Sequence, residues 1–352
     1  LANRILSWFG LISYSLYLWH VPVFSFYSFF VEAGSGSLRI ISIIITVLIS
    51  YLSYRWIEVP FRNDKKFPKS RYGIIIIVCL ILVFLIGIVG IATKGFYKFR
   101  YSNDAHDIVE TLYENHSAYV RENFEIFQNR EWDQQNPKPN LLIIGDSYAQ
   151  DVTNIFMETS LESHYEIRTF RVGAKCGNLF LPKQNLEAFQ PARIKTKCIN
   201  ESLLQSSIVK DLLLRADIVI LSSQWKDWQV DRMLESITYF HDNYDGKILV
   251  VGSKLFPKPN IKSLEKIEKK SRSRLVFPMD IKIKNLNSEI KAVVEKANAY
   301  YFDIQEEFCL PTKTDCRLYD SLGRLKSYDG KHLTRTGAKF LAPSLENYIK
   351  KN

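Results

Sequence analysis

Hydrophobic positions divide this chain into two regimes. Up to about residue 93 they run almost unbroken, and beyond Lys94 they come in short bursts between polar stretches. From Ile5 to Val31 no residue carries a formal charge apart from what His20 can hold, and Gly73 to Thr93 is uncharged between Arg71 and Lys94. Each run is long enough for a helix that crosses a bilayer, which takes roughly 20 residues. The run Ile40 to Tyr54 is shorter, but Arg39 and Arg55 can snorkel and Trp56-Ile57 extends the apolar length, so a second span is expected there. Glu32 to Ser37, with Gly34 and Gly36, reads as the turn between the first two. Residues 1–93 are thus expected to form three transmembrane helices.

The pattern then changes period. Tyr101 to Asn136 is polar and expected to be helical from Asp104 to about Asn129, with Tyr113, Tyr119, Phe124 and Phe127 on one side, so residues 94–138 read as a linker docked on the domain C-terminal to it. From 139 to 352 strand-like bursts alternate with helical stretches. Expected strands are Leu141 to Ile144, Tyr165 to Val172, Ile218 to Leu221, Ile248 to Val251 and Tyr300 to Asp303. Expected helices are Asn200 to Arg215, Asp231 to Asn243, Ile283 to Ala299 and Thr334 to Ile349. This alternation predicts an α/β fold with a parallel sheet between two helix layers. The lysine-rich excursion Lys258 to Lys284 reads as a solvated face.

Composition adds a direction across the membrane. With 352 residues, 47% of them hydrophobic, the chain holds about two domains. Arg55, Arg62, Lys65, Lys66, Lys69 and Arg71 crowd the connection between the second and third spans, and the positive-inside rule puts that loop in the cytoplasm. Everything after Lys94 then lies outside. Cys176, Cys198, Cys309 and Cys316 all fall in that outer part, and short loops favour pairing Cys176 with Cys198 and Cys309 with Cys316, as an oxidising compartment allows. The net charge of +10 has no basic stripe interleaved with aromatics, so no nucleic-acid partner is expected. No His/Cys cluster has ligand spacing, and no metal is expected.

Candidate chemistry begins where the first strand of the outer part ends, at Gly145-Asp146-Ser147. A parallel sheet collects ligands at the carboxyl ends of its strands, and a helix starting there offers free N–H groups to negative charge. An ordinary turn capped by Asp146 or Ser147 fits the same residues. Far downstream, Asp329 and His332 stand three residues apart before Thr334, a candidate helix cap. A serine hydroxyl needs a base, and the base needs a partner that fixes its tautomer. Ser147, His332 and Asp329 are the candidate nucleophile, base and orienting acid.

Gly145-Asp146-Ser147 together with Asp329-Gly330-Lys331-His332 resembles the first and last blocks of the SGNH (GDSL-like) hydrolases and O-acetyl transferases. An α/β-hydrolase elbow is excluded, because Ala149 stands where that motif needs glycine. Gly10-Leu11-Ile12-Ser13-Tyr14-Ser15-Leu16-Tyr17-Leu18-Trp19-His20-Val21-Pro22 and Ser53-Tyr54-Arg55-Trp56-Ile57-Glu58-Val59-Pro60-Phe61-Arg62 resemble the last pieces of the acyltransferase-3 membrane proteins, many of which end in one more helix and a fused SGNH domain. The resemblance implies a bacterial inner-membrane, multi-pass O-acyltransferase with a three-layer α/β/α domain in the periplasm. It implies acetyl transfer to a cell-surface glycan such as lipopolysaccharide O-antigen. The family's earlier helices, which handle the acyl donor, have no counterpart before Leu1, and no secretory leader opens the chain. The sequence is therefore expected to be part of a longer protein. Acetyl-CoA or a similar acyl donor is implied for those earlier helices, and no bound cofactor is expected here. His20 reads equally as a pathway residue or a histidine bonded to a neighbouring helix.

An acyl-transfer intermediate carries an oxyanion that needs donors. The Ser147 N–H is one, Gly173 matches the family's second-block glycine with Gly177 as the fallback, and Gln224 falls where the family usually has asparagine. Trp225 and Trp228 fit either sugar stacking or packing. Two rival readings fit the same residues: an esterase that removes acetyl groups from glycans, and a catalytically silent module that presents a glycan.

Overall fold

The computed structural model describes residues 3–30, 36–62, 69–114, 116–133, 135–182, 185, 198, 207–264, 266–310 and 314–352. The chain forms two compact units, Leu1–Gly95 and Phe96–Asn352.

In the first unit the helices are Arg4–Phe30, Gly36–Ser53 and Lys69–Ala92. The second does not stop at Ser53. It continues through a π-helical turn, Tyr54–Glu58, into Val59–Phe61. Pro60 has no N–H for the carbonyl one turn earlier, and a locally widened turn is a common way for a helix to absorb such a break. This continuation gives the segment Arg39–Phe61 the length to cross a membrane, with mean hydropathy 1.8, and Gly73–Ala92 reaches 3.6. Among the described residues these two helices are long and apolar enough to span. Arg4–Phe30 has the length, at 27 residues, but its serines, tyrosines and His20 leave it less apolar, so two of the three expected spans meet that test of length and composition. The turn expected at Glu32 to Ser37 lies mostly outside the described residues, the helix resuming at Gly36. Arg4–Phe30 and Gly36–Ser53 pack together over buried Ile12, Ser15, Ser42, Thr46 and Ser50, and Ser15 donates to the Glu58 carboxylate at 3.1 Å.

The second unit is built on a five-stranded, wholly parallel sheet: β1 (Asn140–Gly145), β2 (Glu166–Arg171), β3 (Ile218–Ser222), β4 (Lys247–Val251) and, after the two-residue β5 (Phe277–Pro278), β6 (Tyr300–Phe302). The order across the sheet is β2-β1-β3-β4-β6; β5 pairs instead with β7 (Asp315–Cys316). Successive side chains of β1 serve opposite faces, as strand geometry requires. Leu141 and Ile143 join Val152, Ile155, Phe156, Phe124 and Leu341 in one core. Leu142 and Ile144 join Val209, Leu213, Ile237, Phe240, Ile290 and Val294 in the other. The helices 116–129, 147–157 and 335–351 therefore cover one face, and 207–215, 233–243 and 281–296 the other.

Several boundaries differ from the sequence pattern for identifiable reasons. The single helix expected from Asp104 to Asn129 is two, Asn103–Tyr113 and His116–Asn129, because Glu114 adopts extended backbone (ψ 149°) between them. Asp280 caps the next-to-last helix by accepting the Ile283 N–H, which starts it at Ile281 rather than Ile283. Of the helix expected over Asn200 to Arg215, Ser207–Arg215 is helical and residues 200–206 lie outside the described residues. The connector is packed into the unit: Phe124 lies in the core, the fully buried Arg272 pairs with Asp107 at 3.1 Å, and Thr169 donates to the Phe124 carbonyl at 2.6 Å. Both expected disulfides form, Cys176–Cys198 and Cys309–Cys316.

Gly145 closes β1 where it presses on β3. A Cβ there would lie 1.8 Å from the Ser222 carbonyl oxygen, and its φ of +154° disfavours a side chain. Gly145→Ala is expected to destabilise the unit by about 3 kcal/mol, as overpacking against rigid backbone does, measurable as a lowered midpoint in urea unfolding.

Candidate active site

β1 delivers Ser147 to the carboxyl edge of the sheet. Asp146 caps the helix Ser147–Met157, its carboxylate accepting the Tyr148 N–H at 2.9 Å. The other carboxylate oxygen accepts the Gln224 N–H, also at 2.9 Å. Burial raises the Asp146 carboxyl above its ordinary value, opposed by those two N–H groups and by Lys254 and Lys226. One side chain thus ties the helix that begins at Ser147 to the loop after β3. The Ser147 N–H, first in its helix, has no acceptor in a preceding turn.

His332 arrives from the loop before the last helix. Its Nε2 lies 2.8 Å from Ser147 Oγ, and its Nδ1 lies 2.7 Å from Asp329 Oδ2. Asp329 Oδ1 accepts the N–H groups of Lys331 at 2.8 Å and His332 at 2.7 Å. Burial alone would raise the Asp329 carboxyl, but the hydrogen bonds from the His332 ring and from those two amides outweigh it and hold it at about 2. The tautomer this arrangement calls for has Nδ1–H donating to Asp329 and Nε2 accepting from the serine hydroxyl. Gly330 takes a left-handed turn (φ +84°) against the Phe256 carbonyl, and Ser327 Oγ donates to the His332 carbonyl at 2.8 Å, which fixes the loop. Thr334 caps the following helix by accepting the Gly337 N–H. Ser147, Asp329 and His332 are therefore brought together.

The strand register also levels the other three candidates. Gly145 aligns with Arg171 on β2 and with Ser222 on β3. Ser147, Gly173 and Gln224 each stand two positions beyond that aligned row. The Gln224 backbone N–H is taken by Asp146, so any donor from Gln224 to an oxyanion would have to be its side-chain amide. The Gly173 carbonyl accepts the Cys176 N–H at 2.8 Å, making the turn that precedes Gly177 (φ +93°). Trp225 is not a stacking platform: it is 2% exposed, and its indole N–H donates to the Val251 carbonyl at 2.8 Å. Trp228 is half-buried against Leu179 and Leu181.

Three contributors escaped the sequence reading. Tyr328 lies parallel to the His332 ring at 5.9 Å and to His116 at 4.2 Å. Asn178, 1% exposed, donates to the Ile144 carbonyl and to Ser223 Oγ, joining the β1 end to the β3 loop. Tyr328 adjoins Asp329, but nothing in the sequence relates His116 or Asn178 to it.

A parallel α/β/α sheet with a serine, a histidine and an aspartate in hydrogen-bond sequence at its carboxyl edge defines a class of domain built for serine-dependent acyl chemistry. Residues 116–347 match the SGNH domain fused to AT3 domains, and the chain belongs to that family. It is 36% identical over 92 residues to the O-acetyltransferase OatA of Staphylococcus aureus strain MRSA252, covering 24% of this chain and 15% of OatA. With OatA of strain NCTC 8325 / PS 47 it shares 28% identity over 165 residues, 44% of this chain and 27% of that protein. The matched stretches span less than a third of these relatives' own length. Among solved structures, the periplasmic domain of the lipopolysaccharide acetyltransferase of Salmonella ser. Paratyphi A is similar over 68% of this chain and 98% of that one, with 17% identity and a TM-score of 0.47.

The depressed Asp329 carboxyl makes stability depend on pH with a definite sign. A group held below its unfolded value near 3.9 stabilises the fold above that pH, and the contribution disappears as pH falls through about 2. The stability gap between wild type and Asp329→Asn is expected to be on the order of 1 kcal/mol at neutral pH, allowing for solvent screening at this partly exposed carboxylate. Urea unfolding at stepped pH should show the gap closing between about pH 4 and pH 2.

Proposed function

We propose that this chain is the C-terminal part of a membrane-bound O-acyltransferase that places acyl groups, acetyl by preference, on a cell-surface glycan such as lipopolysaccharide O-antigen. The observation that carries this reading is the continuous hydrogen-bond path from Ser147 Oγ through His332 to Asp329. In the first half-reaction His332 Nε2 takes the Ser147 proton as Oγ bonds to the acyl carbon. The oxyanion is held by the Ser147 N–H, the Gly173 N–H and the Gln224 amide. His332 returns the proton to the departing group and an acyl-serine remains. In the second half-reaction a sugar hydroxyl gives its proton to His332 and attacks that acyl carbon. The Oγ–acyl bond breaks, the proton passes back to Oγ, and the ester stands on the glycan. Asp329 supports the imidazolium in both halves.

Membrane topology supports the same reading. We read the basic connection between Arg39–Phe61 and Gly73–Ala92 as cytoplasmic; a Ser147 unit outside an inner membrane, in the periplasm, is in keeping with that and with its two disulfides. The acyl donor, acetyl-CoA or a similar thioester, is handled by earlier transmembrane helices of the longer, multi-pass protein. A third span through Arg4–Phe30 belongs to this proposal. Water in place of the sugar would make the same intermediate an esterase's.

The full chain in detergent is expected to react with a fluorophosphonate probe, and Ser147→Ala and His332→Ala to lose labelling. An acyl-serine preformed from a p-nitrophenyl acetate pulse should then pass its acetyl group to added polysaccharide faster than to water, read by mass spectrometry. Release to water alone favours the esterase, and an unlabelled, folded wild type favours a glycan-presenting module.

A further inference from the structure

Behind the site lies an ion pair that the acyl-transfer steps do not use. Asp151 follows Ser147 by one helical turn, so both project from the same side of one helix. Its side chain is 0% exposed, and its Oδ2 lies 2.8 Å from the Nζ of Lys254, which is 1% exposed. Asp151 Oδ1 accepts the N–H of Leu333 at 3.2 Å, and Leu333 is the residue after His332. Lys254 sits in the loop after β4. Its ammonium lies 3.8 Å from the centre of the Tyr148 ring, and its carbonyl accepts the Tyr148 hydroxyl at 2.6 Å. The same ring stands edge-on to His332 at 6.2 Å. Two residues on, the Phe256 N–H donates to the Gly330 carbonyl at 2.8 Å, joining the Lys254 loop to the turn that carries Asp329 and His332.

Three segments distant in sequence thus converge on one buried pair: the nucleophile helix, the loop after β4 and the histidine loop. Stability alone is a poor account of it, because apolar residues of similar volume hold a fold as well or better than a desolvated ion pair. What apolar residues lack is direction. The Asp151 carboxylate can accept the Leu333 amide only with that backbone in one place, and Lys254 holds the carboxylate aimed.

We propose that Asp151, fixed by Lys254, is a positioning residue that sets His332 at hydrogen-bond distance from Ser147 through the backbone of Leu333. The proposal rests on the serine acyl-transfer reading of the site. Misplacing a catalytic group by about 1 Å from a distance can cost on the order of a hundredfold in rate, so a loss of this kind is expected when the acceptor for Leu333 is removed.

The test uses the full chain in detergent and a fluorophosphonate probe, separating the maximal labelling rate from the probe's half-saturating concentration. Asp151→Leu with Lys254→Met removes both charges and the acceptor while keeping apolar volume. Asp151→Asn with Lys254→Met removes both charges and keeps a carbonyl to accept the Leu333 N–H. The leucine pair is expected to label roughly 10- to 100-fold more slowly at unchanged half-saturation and undiminished melting temperature, and the asparagine pair to recover most of that rate. The proposal is overturned if the folded leucine pair labels at the wild-type rate, or if the folded asparagine pair is no faster than the leucine pair. If the leucine pair unfolds while the asparagine pair folds, Asp151 is a folding element and the positioning role is likewise overturned. A wild type that does not label sinks the acyl-transfer reading itself, whereas a labelled wild type with unaffected variants sinks only the role of Asp151.

Discussion

The rest of the candidate site hangs on the buried carboxylate of Asp146. Two strands end side by side, and each carries a loop that has to be held without the continued ladder of a sheet. Asp146 holds both, accepting an amide from the first turn of the Ser147 helix with one oxygen and the Gln224 backbone amide with the other. A buried charge is costly unless its acceptor positions are filled. Filling them here fixes where Ser147 starts its helix and commits the Gln224 backbone N–H to Asp146. The Gly145 step before it allows β1 and β3 to approach closely enough for this bridge, since any Cβ would meet the Ser222 carbonyl.

The same economy extends to the histidine loop. Asp329 uses both oxygens as well, one for the imidazole and one for two backbone amides, so the residue that orients His332 also shapes the loop that presents it. Tyr328 lies along one face of that imidazole, and His116 along Tyr328. The connector after the apolar helices therefore reaches the site by packing as well as by sequence. With Phe124 and Arg272 it makes the segment from residue 96 onward one cooperative body.

The apolar region carries its own polar logic. Thr46 and Ser50 return their hydroxyls to carbonyls of their own helix, at 2.7 and 2.6 Å, so their burial against the first helix leaves neither hydroxyl proton unsatisfied. Glu58 accepts from Ser15 and pairs with Arg62 at 2.7 Å, just where the π-helical turn ends. These polar atoms are matched within the helices that carry them or with the nearest neighbour, as an apolar surrounding demands.

Hydrophobic periodicity alone determined the parallel α/β unit, because a strand buried on both faces must be a short unbroken apolar run and an amphipathic helix must repeat every three to four residues. It determined the division near residue 94, since only the segments before it lack charges for a bilayer's width. The Gly145-Asp146-Ser147 and Asp329 to His332 blocks were legible as a candidate site for a similar reason: a nucleophile, a base and an orienting acid would need particular residue types at a strand end and a helix entry, and the fold brings these three into hydrogen-bond contact. Local pairing of the cysteines was legible because short loops close easily. What remained hidden depends on which distant segments meet. The burial of Trp225 follows from a neighbour that no local window contains, the Val251 carbonyl at the end of β4. Asp151 and Lys254 read in the sequence as ordinary charged residues of a helix and a loop. Only the folding of β4 beside β3, and of the His332 loop over the Ser147 helix, places them out of water, where each supplies the other's counter-charge. The sequence decided which chemistry was available, and tertiary structure decided the distances that chemistry works across, because hydrogen-bond geometry between remote segments is set by packing.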